Sequence, residues 1–343
     1  MKLVTKALSY KLQLAQPFTT SRYTVETQNT VIVSISNGIV TGYGEATANP
    51  YYKSSVEGII AAVTSVNFII ENSFGQSPEA LWYKLEPHLR NNYFALCAID
   101  CAYWDFYGKS KDKTLRSFWN STTTDLPKSN FTIGIDTLEV MKNKIINKPW
   151  PIYKIKLGTK DDVQIVKELR RITDSVFRVD ANCNWTVEQT IINSVALKSM
   201  NVEFIEQPLN ANDWSGMKTL KQKSKLPVIA DESCQRLEDI EPCGNHFHGI
   251  NIKLMKCGGI TPALRMITLS RKLNLKVMAG CMTESSIGIS NLVQLAPLLD
   301  YLDADGAMLL KSDVARGVDF VDGKIQFSSE KGSGAQLLKP RKV

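Results

Sequence analysis

Short apolar runs recur about every 25 residues from residue 131 onward, and this period constrains the fold more than any other feature. Seven runs are clear, and an eighth, weaker one lies near Leu302. A stretch with the spacing of an amphipathic helix follows each run, as at Ile165, Leu169 and Ile172. The seven runs are Phe131–Ile135, Tyr153–Leu157, Phe177–Asp180, Val202–Glu206, Pro227–Asp231, Gly249–Leu254 and Lys276–Gly280. The pattern predicts the α/β class and a TIM-like (β/α)8 barrel, with a doubly wound sheet as the alternative.

Charged residues stand at the carboxyl ends of consecutive runs. They are Lys154 and Lys156, then Asp180, Glu206, Asp231 and Lys253, with steps of 22–26 residues between runs. A closed barrel brings the carboxyl ends of its strands together at one mouth, which is where barrel enzymes place their chemistry. We therefore expect these six side chains to face one another.

Three carboxylates that converge repel one another unless a cation lies between them. Oxygen ligands alone favour a hard cation, and Mg2+ fits best because it leaves positions open for a substrate carboxylate. Two neighbouring ammonium groups disfavour each other's protonation, so a paired lysine is suited to act as a base. A lysine on each side of a substrate can remove a proton from one face and return one to the other, which inverts a carbon centre.

Composition narrows the function further. There are only three histidines in 343 residues, which argues against a histidine-based zinc site. The seven cysteines include no CxxC spacing, as expected for a reduced, cytoplasmic protein. The net charge of +7 is scattered, so we expect no nucleic-acid partner. Lysines interrupt the N-terminal segment and the most apolar stretch, 58–70, is too short for a membrane span, so we expect no membrane partner.

The residues before the barrel have a different pattern. Alternating residues over 30–36, the turn residues Asn37 and Gly38 and a second run from Ile39 predict a hairpin. Helical patterns follow over about 54–72, 78–91 and 94–108. Strands followed by helices are typical of an α+β unit.

The strand-end motifs resemble those of the enolase superfamily, in its muconate-lactonizing subgroup. The matching segments are KIK at Lys154–Lys156, DAN at Asp180–Asn182, EQP at Glu206–Pro208, ADES at Ala230–Ser233 and NIKLMKCGG at Asn251–Gly259. Gly42–Ala46 and Ala98–Asp105 are similar to that family's capping domain. The resemblance covers nearly the whole chain and implies a capping domain over 1–122, completed by about 320–343, on a barrel over 123–319.

The resemblance also implies roles for the charged residues. One Mg2+ ion per subunit would be bound by Asp180, Glu206 and Asp231. Lys156 and Lys253 would be the two acid–base catalysts, and Lys154 would stabilise the enolate between their steps. The family's second catalytic lysine is the first in the NIKLMK string, so Lys256 would be a structural or surface residue.

The segment Asp303-Ala-Asp305 near the eighth strand resembles a pair that binds the substrate's α-ammonium group in dipeptide epimerases, and two carboxylates can neutralise such a cation. This implies a dipeptide substrate, epimerised at the Cα of its C-terminal residue. L-Ala-L-Glu and L-Ala-D-Glu are the best candidates, which would connect the enzyme to murein peptide metabolism. The residues expected to border the substrate side chain are Arg22 or Tyr23 in a capping-domain loop over 18–26, Thr283 and Ile287.

Other functions stay open at this point. An N-acylamino-acid racemase, an o-succinylbenzoate synthase or a cycloisomerase of the same subgroup would use the same barrel. A non-catalytic barrel that acts as a binding module is the alternative of another class, although all six charged residues at the mouth are present. We also expect a homo-oligomer.

Overall fold

The computed structural model describes residues 1–338, and its first domain is an antiparallel sheet covered by helices. The strands, in hydrogen-bonded order, are β1 (Val4–Thr19), β2 (Thr24–Ser36) and β3 (Thr41–Thr47). The helices are α1 (Val56–Ser65), α2 (Asn67–Glu71), α3 (Pro78–Leu89) and α4 (Tyr93–Ser110), followed by a 3-10 turn at Leu115–Phe118. Ser55, Ser77 and Asn92 begin α1, α3 and α4, because each side chain accepts a hydrogen bond from the amide three residues later.

Two glycines of β3 allow the sheet to pack closely on α4. Gly42 and Gly44 face the helix backbone at Ala102 and Ala98, and a Cβ at either position would collide with it. On its other side α4 packs against the barrel, so it is buried along nearly its whole length. The GYG motif is therefore a packing requirement of the cap.

Eight parallel strands form the barrel, which confirms the predicted fold class. The strands are β4 (Phe131–Ile133), β5 (Ile152–Lys156), β6 (Val176–Asp180), β7 (Val202–Glu206), β8 (Val228–Ala230), β9 (Gly249–Ile252), β10 (Lys276–Gly280) and β11 (Tyr301–Asp303). The helices between them are α5 (Leu138–Asn147), α6 (Asp162–Arg170), α7 (Val187–Lys198), α8 (Trp214–Lys223), α9 (Ile240–His246), α10 (Leu254–Cys257), α11 (Ile260–Lys272) and α12 (Ser286–Val293). Further 3-10 turns lie at Leu237–Asp239 and Ala296–Leu298.

The barrel is nearly closed between its first and last strands. The strands are hydrogen-bonded in chain order from β4 to β11, and a single parallel bridge between Ser129 and Leu302 spans the remaining gap. After β11 the chain forms a 3-10 turn at Gly306–Leu309, and no α-helix follows it among the described residues. We call this junction of β4 with β11 the seam.

The last part of the chain returns to the first domain. Its strands are β12 (Ala315–Arg316), β13 (Asp319–Val321), β14 (Lys324–Gln326) and β15 (Gln336–Leu337). Near its end, Gly332 exchanges backbone hydrogen bonds with Leu115 and Lys113 beyond α4. The domain limits at 122 and 319 stay predictions, and residues 339–343 of the predicted return segment lie outside the described residues.

One hydrophobic core runs through the cap and the barrel. Trp82 and Trp104 of the cap lie in it, and their indole nitrogens donate hydrogen bonds to the barrel at Gly258 and Thr261, each at 2.9 Å. The cap is thereby fixed above the barrel. Among the described residues, no helix has both the length and the apolar composition needed to cross a membrane.

Candidate active site

A cleft opens at the carboxyl ends of the barrel strands, beside the turn that joins β1 to β2. The barrel contributes Lys156, Asp231 and Lys253 to its walls, and the cap contributes Arg22 and Tyr51. Its empty volume, open mouth included, is about 840 Å3. Both domains therefore form the walls of this open cleft.

Three carboxylates from neighbouring strands converge beneath the cleft. Asp180 and Glu206 are the last residues of β6 and β7, and Asp231 directly follows β8. All three are buried, and one oxygen of each lies within 4.8 Å of the others. We call these three residues the strand-end set. Three oxygen donors at a separation that one ion can bridge fit a hard divalent cation such as Mg2+.

Lys256 fixes Asp231 from within the barrel. Its Nζ donates to Asp231 Oδ1 at 2.6 Å and to the carbonyl oxygens of Asp231, Cys234 and Asn251 at 2.6–3.1 Å. The residue is buried, which agrees with a structural role and not with a surface position. Burial alone would raise the pKa of Asp231, but Lys253 and Lys256 hold it well below its usual range.

Lys156 and Lys253 approach the strand-end set from different sides. Lys156 Nζ lies 2.7 Å from Asp180 Oδ2, and Lys253 Nζ lies 2.8 Å from Asp231 Oδ2. Lys156 lies on β5, and Lys253 follows β9, which is four strands further round the barrel. In an eight-stranded barrel this spacing puts the two ammonium groups on opposite walls of the mouth. Burial opposes the charge of Lys253, but Asp231 raises its pKa well above the usual value.

Lys154 connects the strand-end set to a further acid. Its Nζ lies 3.2 Å from Asp180 Oδ2, 2.8 Å from Glu206 Oε2 and 2.8 Å from Asp303 Oδ2. Burial alone would lower its pKa, but Asp303, Glu206 and Asp180 raise it well above the ordinary lysine value. Lys154 is therefore a fixed cation between acids of different strands.

The acids of the strand-end set differ in pKa. Burial alone would raise the pKa of Asp180, but Lys156 and Lys154 lower it to about 2. Burial and the charge of Asp180 raise the pKa of Glu206 to about 7 in spite of Lys154. Asn251, within the NIKLMK string, holds Glu206 by donating from Nδ2 to Oε1 at 2.9 Å. A cation bound by the set favours the ionised form of Glu206, because metal ligands are deprotonated.

Asp303 and Asp305 lie at the end of β11, and we call them the β11 pair. Asp303 accepts hydrogen bonds from Lys154 at 2.8 Å and from Asn130 Nδ2 at 2.7 Å, whereas Asp305 accepts one from the Thr132 amide at 2.5 Å. Burial alone would raise the pKa of Asp303, but Lys154 lowers it. Burial and the charge of Asp303 raise the pKa of Asp305 to about 7. Both residues line the cleft.

The cap segment 18–26 is mostly strand. β1 extends to Thr19 and β2 begins at Thr24, so only residues 20–23 form the turn. Arg22 and Tyr23 both line the cleft. The Arg22 side chain points to the barrel, where its Nη1 lies 2.7 Å from Glu232 Oε1.

Thr283 lines the cleft, but Ile287 lies elsewhere. The structure places Ile287 in a separate buried cluster with Ile32, Ala315 and Ala335. The prediction that Ile287 borders the substrate is therefore wrong, because the residue lies neither in the cleft nor in the strand-end set.

Four residues that contact the site were not predicted as functional. Lys256, Asn251 and Glu232 lie inside the motifs that carry the resemblance, so their position in those strings was the available signal. Asn130 precedes β4 and has no such motif around it.

Two protein-family models match the sequence, one over the cap and the other over the barrel. Residues 3–118 match "Mandelate racemase / muconate lactonizing enzyme, N-terminal domain", and residues 138–341 match "Enolase C-terminal domain-like". The chain belongs to the enolase superfamily. The family predicted from the motifs is therefore confirmed.

Relatives within the superfamily are similar over almost their whole length. The chain is 50% identical over 338 residues to the L-Ala-D/L-amino acid epimerase of Flavobacterium johnsoniae, covering 98% of this chain and 100% of that protein. It is 37% identical over 334 residues to the L-Ala-D/L-Glu epimerase of Bacteroides thetaiotaomicron, covering 96% and 86%. Both relatives are epimerases, which confirms the predicted isomerase class.

Solved structures of the superfamily share the fold. The dipeptide epimerase of Enterococcus faecalis, complexed with Mg and the dipeptide L-Leu-L-Tyr, matches with a TM-score of 0.90 and 27% identity. The match covers 98% of this chain and 99% of that chain. That complex contains the ion expected here from the three carboxylates, so the choice of Mg2+ agrees with the superfamily.

Proposed function

We propose that the protein is a Mg2+-dependent dipeptide epimerase that inverts the Cα of the C-terminal residue. The observation that carries the proposal is that Lys156 contacts Asp180 at 2.7 Å and Lys253 contacts Asp231 at 2.8 Å, from strand ends four positions apart around the barrel. A base on each side of one carbon is the equipment for inversion. The 50% identical epimerase supports the same reaction class.

The strand-end set would hold the metal in this mechanism. When bound, Mg2+ supplies positive charge that stabilises negative charge on the substrate's carboxylate. One lysine, Lys156 or Lys253, takes the Cα proton onto the lone pair of its neutral Nζ and becomes an ammonium group. The other returns a proton from its own Nζ to the opposite face of the same carbon. Lys154 donates a hydrogen bond toward the negative charge that develops between the two transfers.

The β11 pair would bind the other end of the substrate. A dipeptide carries a free α-ammonium group, and Asp303 and Asp305 offer it carboxylate oxygens in a largely buried position. Racemases of N-acylated amino acids, synthases and cycloisomerases act on substrates without this group. The presence of both acids in the cleft therefore favours dipeptides over the substrates of those enzymes.

The test is deuterium uptake from D2O in the presence of Mg2+. We expect deuterium at the Cα of the C-terminal residue of L-Ala-L-Glu, or of another dipeptide in a mixed panel, as measured by mass spectrometry. A Lys156→Ala/Lys253→Ala double variant is the negative control, and Lys142→Ala, on the outside of the barrel, is the matched positive control. No exchange with any dipeptide would mean that the proposed reaction is wrong.

The single lysine variants test the two-sided transfer. Lys156→Ala removes the base on one side, so we expect loss of epimerisation but residual exchange from only one of the two diastereomers. Lys253→Ala should retain exchange from the other diastereomer. Equal residual exchange from both diastereomers in both variants would contradict the assignment of one lysine to each face.

We further propose a cytoplasmic enzyme of murein peptide metabolism that assembles as a homo-oligomer. Seven free cysteines support a reducing compartment. The similarity to an L-Ala-D/L-Glu epimerase supports the metabolic assignment. Fractionation with activity assays tests the location, and light scattering of the purified protein tests the oligomer, where a monomeric mass would contradict it.

A further inference from the structure

The arginine that the cap sends into the cleft already has an ionic partner in the barrel. Arg22 Nη1 lies 2.7 Å from Glu232 Oε1, and its Nη2 donates to the carbonyl of Asn182 at 3.2 Å. The guanidinium stacks on the ring of Tyr51, with its centre 4.1 Å from the ring centroid. The Arg22 side chain is 25% exposed and that of Glu232 is 1% exposed. The pair therefore joins the β1–β2 turn to the wall of the cleft.

The buried charge of Glu232 depends on Arg22 for compensation. Among the described residues, no other lysine or arginine lies within 4.0 Å of its carboxylate, and its Oε2 has no hydrogen-bond partner. Removing the cation from a buried carboxylate leaves a charge without compensation, which is costly. A ligand that draws Arg22 away from Glu232 must offset this cost.

The other cations of the cleft are also paired. Within residues 1–338, the remaining lysines that line it are Lys154, Lys156 and Lys253, and each contacts a carboxylate of the chain at 2.7–2.8 Å. The walls of the cleft also include apolar or aromatic side chains, of which Tyr51 contacts Arg22 directly. These are Phe18, Val25, Tyr51, Tyr52, Met282 and Leu309. The surroundings suit a neutral side chain at least as well as an acidic one.

We propose that Glu232 is a specificity-determining residue, which neutralises Arg22 and so opens the cleft to dipeptides with a neutral C-terminal side chain. The inference rests on the proposed dipeptide epimerase function. Glu232 acts through Arg22 and touches no reacting atom, so it is a positioning residue. An acidic substrate side chain competes with Glu232 for the same guanidinium, whereas a neutral one does not.

The decisive measurement compares L-Ala-L-Glu with L-Ala-L-Gln, because the two substrates are nearly isosteric and differ in charge. For the unaltered protein we expect kcat/KM for L-Ala-L-Gln to equal or exceed that for L-Ala-L-Glu. In Glu232→Gln the amide keeps the size and an acceptor for Arg22 but loses the charge. We expect the ratio of L-Ala-L-Glu to L-Ala-L-Gln to rise about tenfold in that variant.

Two further variants separate specificity from structure. Glu168→Gln makes the same substitution in the exterior pair with Lys142, at 3.1 Å, and should leave the ratio unchanged. Arg22→Met should lower kcat/KM for both substrates by similar factors, because the turn loses its contact with the barrel. Adding Glu232→Gln to Arg22→Met should then give no change in the ratio.

The outcomes distinguish this proposal from the function on which it rests. Exchange with neither dipeptide, nor with any member of the panel, rejects the epimerase function itself. Exchange with both, combined with a ratio that Glu232→Gln leaves unchanged or lowers, rejects the role of Glu232 alone. A tenfold preference of the unaltered protein for L-Ala-L-Glu also rejects that role.

Discussion

Two groups of acids share the mouth of the barrel, and they are built differently. The strand-end set takes one acid from each of three neighbouring strands, and lysines contact all three. The β11 pair takes both acids from one strand end. Lys154 contacts Asp303, but among residues 1–338 no lysine or arginine lies within 4.0 Å of Asp305.

The difference shows how the surroundings of a carboxylate suit it to different kinds of cation. Asp180 stays ionised with a pKa of about 2 because lysines surround it, although burial opposes its charge. Asp305 has a pKa of about 7 because it is buried beside Asp303 and lacks such a lysine. The first arrangement fixes negative charge for an ion, whereas the second leaves a place for a cation that the substrate brings.

The largest effect is expected when the strand-end set loses an acid. Glu206→Gln keeps the shape but removes a charge from the proposed metal ligands. We expect activity to fall by more than about 1,000-fold, above the roughly 10–100-fold typical for outer metal partners. Titration calorimetry should show weaker Mg2+ binding. The matched control is Glu203→Gln on the same strand, whose acid contacts Arg178, and wild-type Mg2+ affinity in Glu206→Gln would contradict the assignment.

A smaller effect, on both substrate binding and catalysis, is expected for Asp303. This residue belongs to the β11 pair and contacts Lys154, which also contacts the strand-end set. Asp303→Asn removes one partner of a fixed cation and one proposed ligand of the substrate amine. We expect kcat/KM to fall about 100-fold, with changes in both kcat and KM, because charged hydrogen bonds contribute about 1.5–3 kcal/mol. A change confined to KM would show that losing the Asp303 charge does not affect catalysis through Lys154.

Asp305→Asn should affect substrate binding alone. The variant keeps an acceptor for the Thr132 amide and loses only the charge offered to the ammonium group. We expect KM to rise between about 10- and 100-fold with kcat changed less than about threefold. Steady-state kinetics with a dipeptide and its N-acetylated analogue provide the comparison. An unchanged preference for the free amine would reject this role of Asp305.

The smallest predicted effect is a pH dependence of KM. Asp305 has a pKa of about 7, so it is neutral below that pH and negative above it. Attraction of an ammonium group requires the negative form, and KM should therefore fall as the pH rises through 7. We expect a change of up to about fivefold between pH 6 and 8, since the neutral acid still accepts hydrogen bonds. Asp305→Asn should flatten this profile, and a KM that rises with pH would contradict the prediction.

The fold was largely predictable because burial in a parallel barrel imposes a period on the sequence. The runs Phe177–Asp180 and Val202–Glu206 end where β6 and β7 end, and the run Tyr153–Leu157 extends one residue beyond β5. The same argument missed β1, whose strand of 16 residues lies mostly at the surface and alternates too weakly to be recognised. It also treated 18–26 as a loop, because residues at an exposed hairpin tip carry no apolar pattern.

The site was predictable where one residue per strand carries the chemistry. Contacts between side chains that are far apart in the sequence were not: Asn130 reaches Asp303, and Arg22 reaches Glu232. Ile287 is the opposite case, a residue that was expected in the cleft but lies elsewhere. Its place in the sequence, just after strand β10, suggested the cleft, but the first turn of α12 points it into packing with the cap. Local sequence does not record which face of a short helix is covered by another domain.

The seam of the barrel has a consequence for refolding. Asn130 and Asp303 are 173 residues apart and become partners only when the first and last strands meet. Contacts at such separation carry a large entropy cost of chain closure and form late. A chain with β4 still unpaired from β11 would already have most of its helices and strands. Recovery of catalysis should therefore lag behind recovery of circular dichroism, so that enzymatic turnover serves as a kinetic reporter of barrel closure.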